Sequence, residues 1–326
     1  LDKRGEQYLE NFEGKINIIN SSNMSGNIFK KILGLLNHLI GFIQSFFIIL
    51  TLKPKIVISF GSYASFFPMM CCILLKPFYK TQIFIHEQNS VLGRTNRFYL
   101  NHINKLFLNF DISLKIKNKF KKKIYIVGNP DKFNKKINFN KNPYDNLFTI
   151  FIFGGSQGSE FISNFSSKLI KNIDMEKTIK AKFIIQCPKK LIKKLYDDLE
   201  HIDSSLIIKE YYNNIDEIFE ITSLAISRAG AGSISDLINY RIPSILIPLP
   251  SAKDNHQLHN AHVMTKYDVA IILEQNKNEI NKAKNYIYEI YNNAKREELF
   301  NERFDKFKVK NSSALIYKLV NNEEQN

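Results

Sequence analysis

The residues best suited to chemistry fall in four short clusters. Gly154-Gly155-Ser156-Gln157-Gly158 follows an apolar run and precedes a helical pattern. Glycines let a backbone turn sharply and approach a ligand closely. A helix start offers free N–H groups and a positive dipole end to phosphate, and Ser156 adds a hydroxyl. The second cluster runs from Ser227 through Arg228, Ala229, Gly230, Ala231, Gly232, Ser233, Ile234 and Ser235 to Asp236. Its small residues permit close approach, Ser233 and Ser235 bring hydroxyls to a helix start, and a carboxylate one turn in can accept both hydroxyls of a ribose. The third is Pro248-Leu249-Pro250 with Lys253-Asp254-Asn255-His256-Gln257, a polar lip after a strand. The fourth, His86-Glu87-Gln88-Asn89, has a companion in Gly61-Ser62-Tyr63. Each has an ordinary alternative: a plain tight turn, dipole compensation by Asp236, or a solvated loop.

The elements that must carry these clusters are legible as apolar, β-branched runs. They are Ile16–Asn20, Ile56–Ser59, Gln82–Ile85, Lys105–Leu108 and Ile124–Val127, then Phe148–Phe153, Lys182–Gln186, Leu206–Lys209, Leu224–Ser227, Ser244–Ile247 and Val269–Leu273. Continuous apolar strands are buried on both faces. Helix-length segments between them predict βαβ units and parallel sheets. The fold class expected is α/β, with two doubly wound Rossmann-like domains over 1–138 and 139–326. The last helix is a candidate for packing back on the first domain. Asp131–Asn146, rich in Lys, Asn and Phe, reads as the linker. All four clusters lie at strand-to-helix turns, where open α/β sheets bind ligands.

Bulk properties narrow the chemistry further. The 326 residues carry 46 Lys and Arg against 31 Asp and Glu, a formal charge of +15, which favours anionic partners. Dense basic residues occur only at Lys121-Lys122-Lys123 without interleaved aromatics, which speaks against nucleic acid. Cys71, Cys72 and Cys187 have neither disulfide nor metal-ligand spacing, as in a reducing compartment. Ile32–Leu52 is 21 residues without Asp, Glu, Lys or Arg, long enough for a transmembrane span. Asn37, His38, Gln44 and two glycines interrupt it, and it runs into a sheet strand. A core or interfacial helix is the preferred reading, with Lys30 and Lys31 on its basic edge and Phe42, Phe46 and Phe47 on its apolar face.

In order and spacing these stretches resemble the MurG family, the UDP-N-acetylglucosamine transferases that convert lipid I to lipid II. The resemblance rests on Gly61-Ser62-Tyr63, His86–Asn89 with Gly93 and Thr95-Asn96, Gly128-Asn129-Pro130, Gly154–Gly158, Ser227–Asp236, and Asp254 with His256-Gln257. It implies the GT-B architecture, two domains facing across a cleft. Donor binding would fall to Ser156, Ala231, Gly232, Ser233, Ile234, Ser235, Asp236 and Gln257, with Asn89 and Lys132 contributing from elsewhere and Tyr212 near the uracil. Tyr63 and Glu87 would support the acceptor side. The reaction implied is an inverting, metal-independent transfer of GlcNAc from UDP-GlcNAc to the 4-hydroxyl of undecaprenyl-linked lipid I. No Asp-x-Asp motif is present, and no cofactor is expected. The expected setting is the cytoplasmic face of the bacterial inner membrane, on anionic lipid, with other cell-wall synthesis proteins as partners.

Three residues depart from the family pattern. Asp236 replaces a Glu, Asp131-Lys132 replaces an apolar residue and Arg, and Ser62 replaces a Gly. Lys keeps the charge of Arg but loses its bidentate geometry. The chain opens Leu1-Asp2-Lys3-Arg4, where the family has already passed two strands and a Gly-rich loop whose His is the candidate general base. The first domain is therefore expected to be incomplete and the base to be missing; His86 is a weak substitute. The alternatives are a fragment that binds UDP-sugar without turnover, and a UDP-GlcNAc epimerase of similar architecture.

Overall fold

The computed structural model describes residues 13–21, 27–130, 147–155, 158–176, 179–275, 277–293, 296–307 and 311–321. The chain divides into two compact units. The first is Leu1–Pro130 with Asn311–Asn326 and the second Asp131–Lys310. The expected boundary at 138 and the linker lie outside the described residues. The last segment belongs to the first unit rather than to the second.

The first unit is built on a parallel sheet of β1 (Ile56–Ser59), β2 (Gln82–Glu87), β3 (Lys105–Leu108) and β4 (Ile124–Ile126), in that spatial order. Side chains alternate across a strand, and here they sort into two cores. Ile83, Ile85, Leu106 and Leu108 join a cluster with Met69, Cys71 and Cys72. Those partners come from α2 (Tyr63–Tyr79). Phe84 and Phe107, stacked 5.7 Å apart, face the other way with Val127 and meet Ile316 and Val320 of α11 (Ser312–Asn321). Lys105 secures that helix. Its ammonium donates to the Leu319 carbonyl at 2.7 Å, a cation at a helix C-terminus.

Two expectations are corrected here. Ile16–Asn20 forms no strand among the described residues. Its backbone is engaged by α1 (Ile28–Leu52): Asn20 N–H donates to Gln44 Oε1 at 2.8 Å, and the Asn20 carbonyl lies where a Cβ on Gly41 would stand. The second correction is the rotation of α1. Phe42 and Phe46 are partly buried against the core of the first sheet, so they are not lipid-facing. Phe47 is 60% exposed, and Leu36, Leu39, Ile40, Ile43 and Leu50 share its exposure. That spacing makes one helical stripe. Among the described residues no helix is long and apolar enough to cross a membrane.

The second unit holds a six-stranded parallel sheet. Its strands are β5 (Phe148–Phe153), β6 (Ala181–Gln186), β7 (Ser205–Lys209), β8 (Leu224–Ser227), β9 (Ser244–Leu246) and β10 (Ala270–Ile272). Their order is β10-β9-β8-β5-β6-β7. The chain builds outward from β5 through β6 and β7, then returns to the other side of β5 with β8. The order therefore reverses between β5 and β8, the switch point at which open α/β sheets leave a crevice. Every residue of β5 is buried, as its unbroken apolar run requires.

Candidate functional site

The switch point brings three of the four clusters together. Phe153 is in register with Ser227, and Ser227 with Leu246. The loops after β5, β8 and β9 thus leave the sheet side by side. After β5, Gly155 and Gly158 have φ of 84° and 68°, values that L side chains avoid. A Cβ on Gly154 would stand 2.4 Å from Ser159 N. Glycine here is a steric requirement for the turn into α4 (Glu160–Glu176). Ser156 and Gln157 lie outside the described residues.

After β8, α7 (Ala231–Asn239) starts behind Gly230, with no side-chain oxygen capping it among the described residues. The first intrahelical bond runs from Ile234 N–H to Gly230 O. The N–H groups of Ala231, Gly232 and Ser233 are left at the open positive end. No atom lies within 4 Å of a Cβ placed on Gly232, so a ligand can reach the backbone there. Two expected contacts change character. The Ser235 hydroxyl donates to the Ala231 carbonyl at 3.0 Å and is buried, and Ile234 is wholly buried. Neither side chain faces a ligand. Ser233 and Asp236 remain half-buried on the first turn and a half.

Arg228, quoted in the sequence motif without a role, ties the loops together. Its Nη2 donates to Ser159 Oγ at 3.0 Å and its Nη1 to the Ile247 carbonyl at 3.0 Å. The guanidinium lies 5.5 Å from the Phe161 ring and is only 7% exposed. In the third loop Asp254 and Asn255 take left-handed φ of 53° and 51° before α8 (His256–Thr265). Non-glycine residues in that region store strain and gather at ligand sites. The Gln257 Oε1 accepts the Leu249 N–H at 2.9 Å, which leaves its amide nitrogen as the donor. Tyr212 is structural. Its hydroxyl contacts the Ile185 and Ile207 carbonyls at 3.2 Å, and burial pushes its pKa up.

The fourth cluster belongs to the first unit and is less open than its polar letters predict. His86 and Glu87 lie within β2, in register with Phe107 and Leu108, and are 0% and 3% exposed. Glu87 gathers its own loop. Oε2 accepts Gly93 N–H at 2.7 Å and Asn96 Nδ2 at 2.8 Å, while Oε1 accepts Asn89 N–H at 3.0 Å. It therefore positions Asn89 and is not itself offered to an acceptor. His86 Nε2 is 2.8 Å from the Gly128 carbonyl, to which it donates. Burial pulls its pKa down, so it is a neutral core group and no general base. Gly128, with φ of 85°, has its would-be Cβ 2.5 Å from Ser312 Oγ. Ser62 adopts φ 86° and ψ 168°, a conformation that suits glycine. Tyr63 opens α2, but its side chain, like those of Lys30, Lys31 and all of Lys132, is outside what is described. Cys71, Cys72 and Cys187 are buried, with thiols pushed up to about 11, 12 and 11, which disarms them as nucleophiles.

Comparison with known proteins follows the same division. Residues 2–108 match the glycosyltransferase family 28 N-terminal domain, and residues 149–316 its C-terminal domain. The UDP-N-acetylglucosamine--N-acetylmuramyl-(pentapeptide) pyrophosphoryl-undecaprenol N-acetylglucosamine transferase of Rickettsia felis is 31% identical over 304 residues, covering 90% of this chain and 82% of its own. The protein of the same name from Rickettsia canadensis is 31% identical over 298 residues, with the same coverage. The chain belongs to the MurG family. The crystal structure of Acinetobacter baumannii MurG superposes with a TM-score of 0.72 at 20% identity, over 97% of this chain and 87% of that one. An S. aureus MnaA–UDP structure gives 0.60 at 13% identity, over 95% and 84%; both likenesses are of fold. Within the MurG family, the three loops at the β5/β8 switch point are this chain's version of the donor edge. Arg228 and Ser159 are the residues that sequence reasoning passed over there. A lone Arg immediately after a four-residue buried strand was the available signal, since an arginine so placed must be paired.

Proposed function

We propose that this chain transfers GlcNAc from UDP-GlcNAc to the 4-hydroxyl of the MurNAc-pentapeptide of undecaprenyl-linked lipid I, giving lipid II. The observation that carries the reading is the open first turn of α7, one strand away from the glycine turn after β5, in a chain 31% identical to such transferases. The free N–H groups of Ala231, Gly232 and Ser233 and the dipole of α7 face the diphosphate. Asp236 takes the ribose hydroxyls, and the Gln257 amide a sugar or phosphate oxygen. As the anomeric bond to UDP breaks, negative charge grows on the β-phosphate, and preset backbone dipoles stabilise it without reorganising. The donor edge works without a metal in this reading. Asn89, held by Glu87, reaches the donor from the first unit. The enzyme docks peripherally on the cytoplasmic leaflet through the exposed stripe of α1, where lipid I presents its headgroup.

Incubation with labelled UDP-GlcNAc and a lipid I analogue tests the reading. Mass-identified lipid II is the expected product. UDP-GlcNAc binding with no transfer by folded protein supports a binder instead, and epimerised sugar nucleotide supports the epimerase; either overturns the transferase assignment.

A further inference from the structure

Carboxylates are unevenly placed in the first unit. Between Glu13 and Asp131 the sequence holds only Glu87 and Asp111, one at the last residue of β2 and one beyond the end of β3. Lysines gather at the opposite, N-terminal ends of the strands. There a cavity of about 580 Å³ opens between the C-terminus of α2 and the residues that lead into β2, β3 and β4. Lys76, Lys80, His102 and Lys123 line it, and no carboxylate does. The volume falls within the range of small-molecule sites.

The walls hold the charges in place. Lys123 Nζ donates to the Ile103 carbonyl at 2.6 Å, and Lys76 Nζ to the His102 carbonyl at 3.4 Å. An ammonium has three donors, so each keeps two for a ligand. Lys80, at the left-handed C-cap of α2, is exposed. The negative end of α2 opposes an anion, but it amounts to about half a charge against three ammonium groups. Phe78 and Leu74 on the same helix are 77% and 55% exposed, apolar groups beside a cationic cavity.

We propose that this cavity is a phosphate site that seats the headgroup of an anionic phospholipid and fixes the first unit at a defined point on the bilayer. It rests on the reading that this unit docks on a membrane, and it adds to the α1 stripe a specific headgroup pocket.

The test compares two variants of the full chain with equal charge loss. One removes the cavity lysines (Lys76→Ala, Lys80→Ala, Lys123→Ala); the other removes exposed lysines elsewhere (Lys115→Ala, Lys117→Ala, Lys122→Ala). Both are co-sedimented with vesicles of phosphatidylcholine and phosphatidylglycerol in equal parts. The cavity variant should lose roughly tenfold more affinity than the control. Equal losses mean diffuse attraction and overturn the proposal. Lys80→Glu, at an exposed position, should reproduce the loss if the triple variant fails to fold, and wild-type affinity in Lys80→Glu overturns it. Amide shifts at Lys80, Thr81 and His102 on adding glycerol phosphate should occur in wild type and vanish in the cavity variant. Shifts with inorganic phosphate but unchanged vesicle affinity in the cavity variant would assign the pocket to a free phosphate and refute the lipid assignment. A stripe variant that abolishes vesicle binding while keeping the glycerol phosphate shifts supports the pocket and separates it from α1 docking. A stripe variant that binds vesicles as wild type does, with the cavity variant still impaired, supports the pocket and refutes the stripe.

Discussion

The guanidinium of Arg228 holds the Ser159 hydroxyl at 3.0 Å across 69 positions of sequence. One residue follows β8 and the other begins α4, so a single buried side chain sets the distance between the two turns that receive the donor. Arg228→Met leaves Ser159 Oγ and the Ile247 carbonyl without this donor. It should cost roughly 2–3 kcal/mol of stability, as for hydrogen bonds to charged groups, read from denaturant midpoints. KM for UDP-GlcNAc should rise more than kcat falls. Arg228→Lys should recover only part, since Lys cannot reach both partners with one fork.

Glu87 accepts from two backbone N–H groups and from Asn96, and a carboxylate alone is acceptor-only at both oxygens. In Glu87→Gln one of these donors meets an amide N–H₂. The variant should lose about 1–3 kcal/mol of stability and bind the donor more weakly through a displaced Asn89. The pH profile of kcat should keep its shape, whereas a catalytic carboxylate would take one limb with it.

Ser62 sits at φ 86° and ψ 168°, where a side chain is strained by about 1–3 kcal/mol. Ser62→Gly removes the strain but frees the unfolded chain. The net expectation is a gain of about 1 kcal/mol, seen as a higher melting temperature without loss of transfer.

The α1 stripe makes a prediction that depends on helix rotation. Replacing Leu39, Ile43 and Phe47 by Ser should weaken vesicle binding while leaving the fold intact, since all three are exposed. The loss should exceed roughly tenfold, from the transfer free energy of apolar side chains. Phe42→Ser and Phe46→Ser should instead destabilise the unit.

His86 predicts the acid limb of stability. Burial holds its folded pKa below the ordinary value of 6.5, so folding favours the neutral ring. The contribution is fully present above the unfolded value and is lost as pH falls below it, because the unfolded state then takes the proton. Unfolding midpoints should drop from pH 7 to pH 5, and more steeply than in His86→Gln.

The strands and the loops that follow them were legible because a strand buried on both faces must be apolar throughout, and Phe148–Phe153 and Leu224–Ser227 are. The order of the sheet was legible only in part, since β8 returning beside β5 is set by packing and not by neighbouring residues. His86 and Glu87 read as loop because polar letters ordinarily mean solvent; a carboxylate whose partners lie within the next nine residues escapes that rule. Ile16–Asn20 has the composition of a strand, yet Gln44 and Gly41 capture its backbone. Phe42, Phe46 and Phe47 are alike in type, and only the seat of α1 on α2 decides which one faces out. Arg228 was visible as a letter, but its partners lie 19 and 69 positions away.

The return of α11 to the first sheet has a consequence for synthesis. Phe84 and Phe107 are covered by Ile316 and Val320, and Lys105 waits for the Leu319 carbonyl. Domains emerging from a ribosome tend to fold in order. Here the second unit, whose residues all precede Asn311, can close its core while the earlier-made sheet still shows one bare aromatic face. The half of the chain that is translated first is the last to be finished, and during that interval it is the natural client of a chaperone.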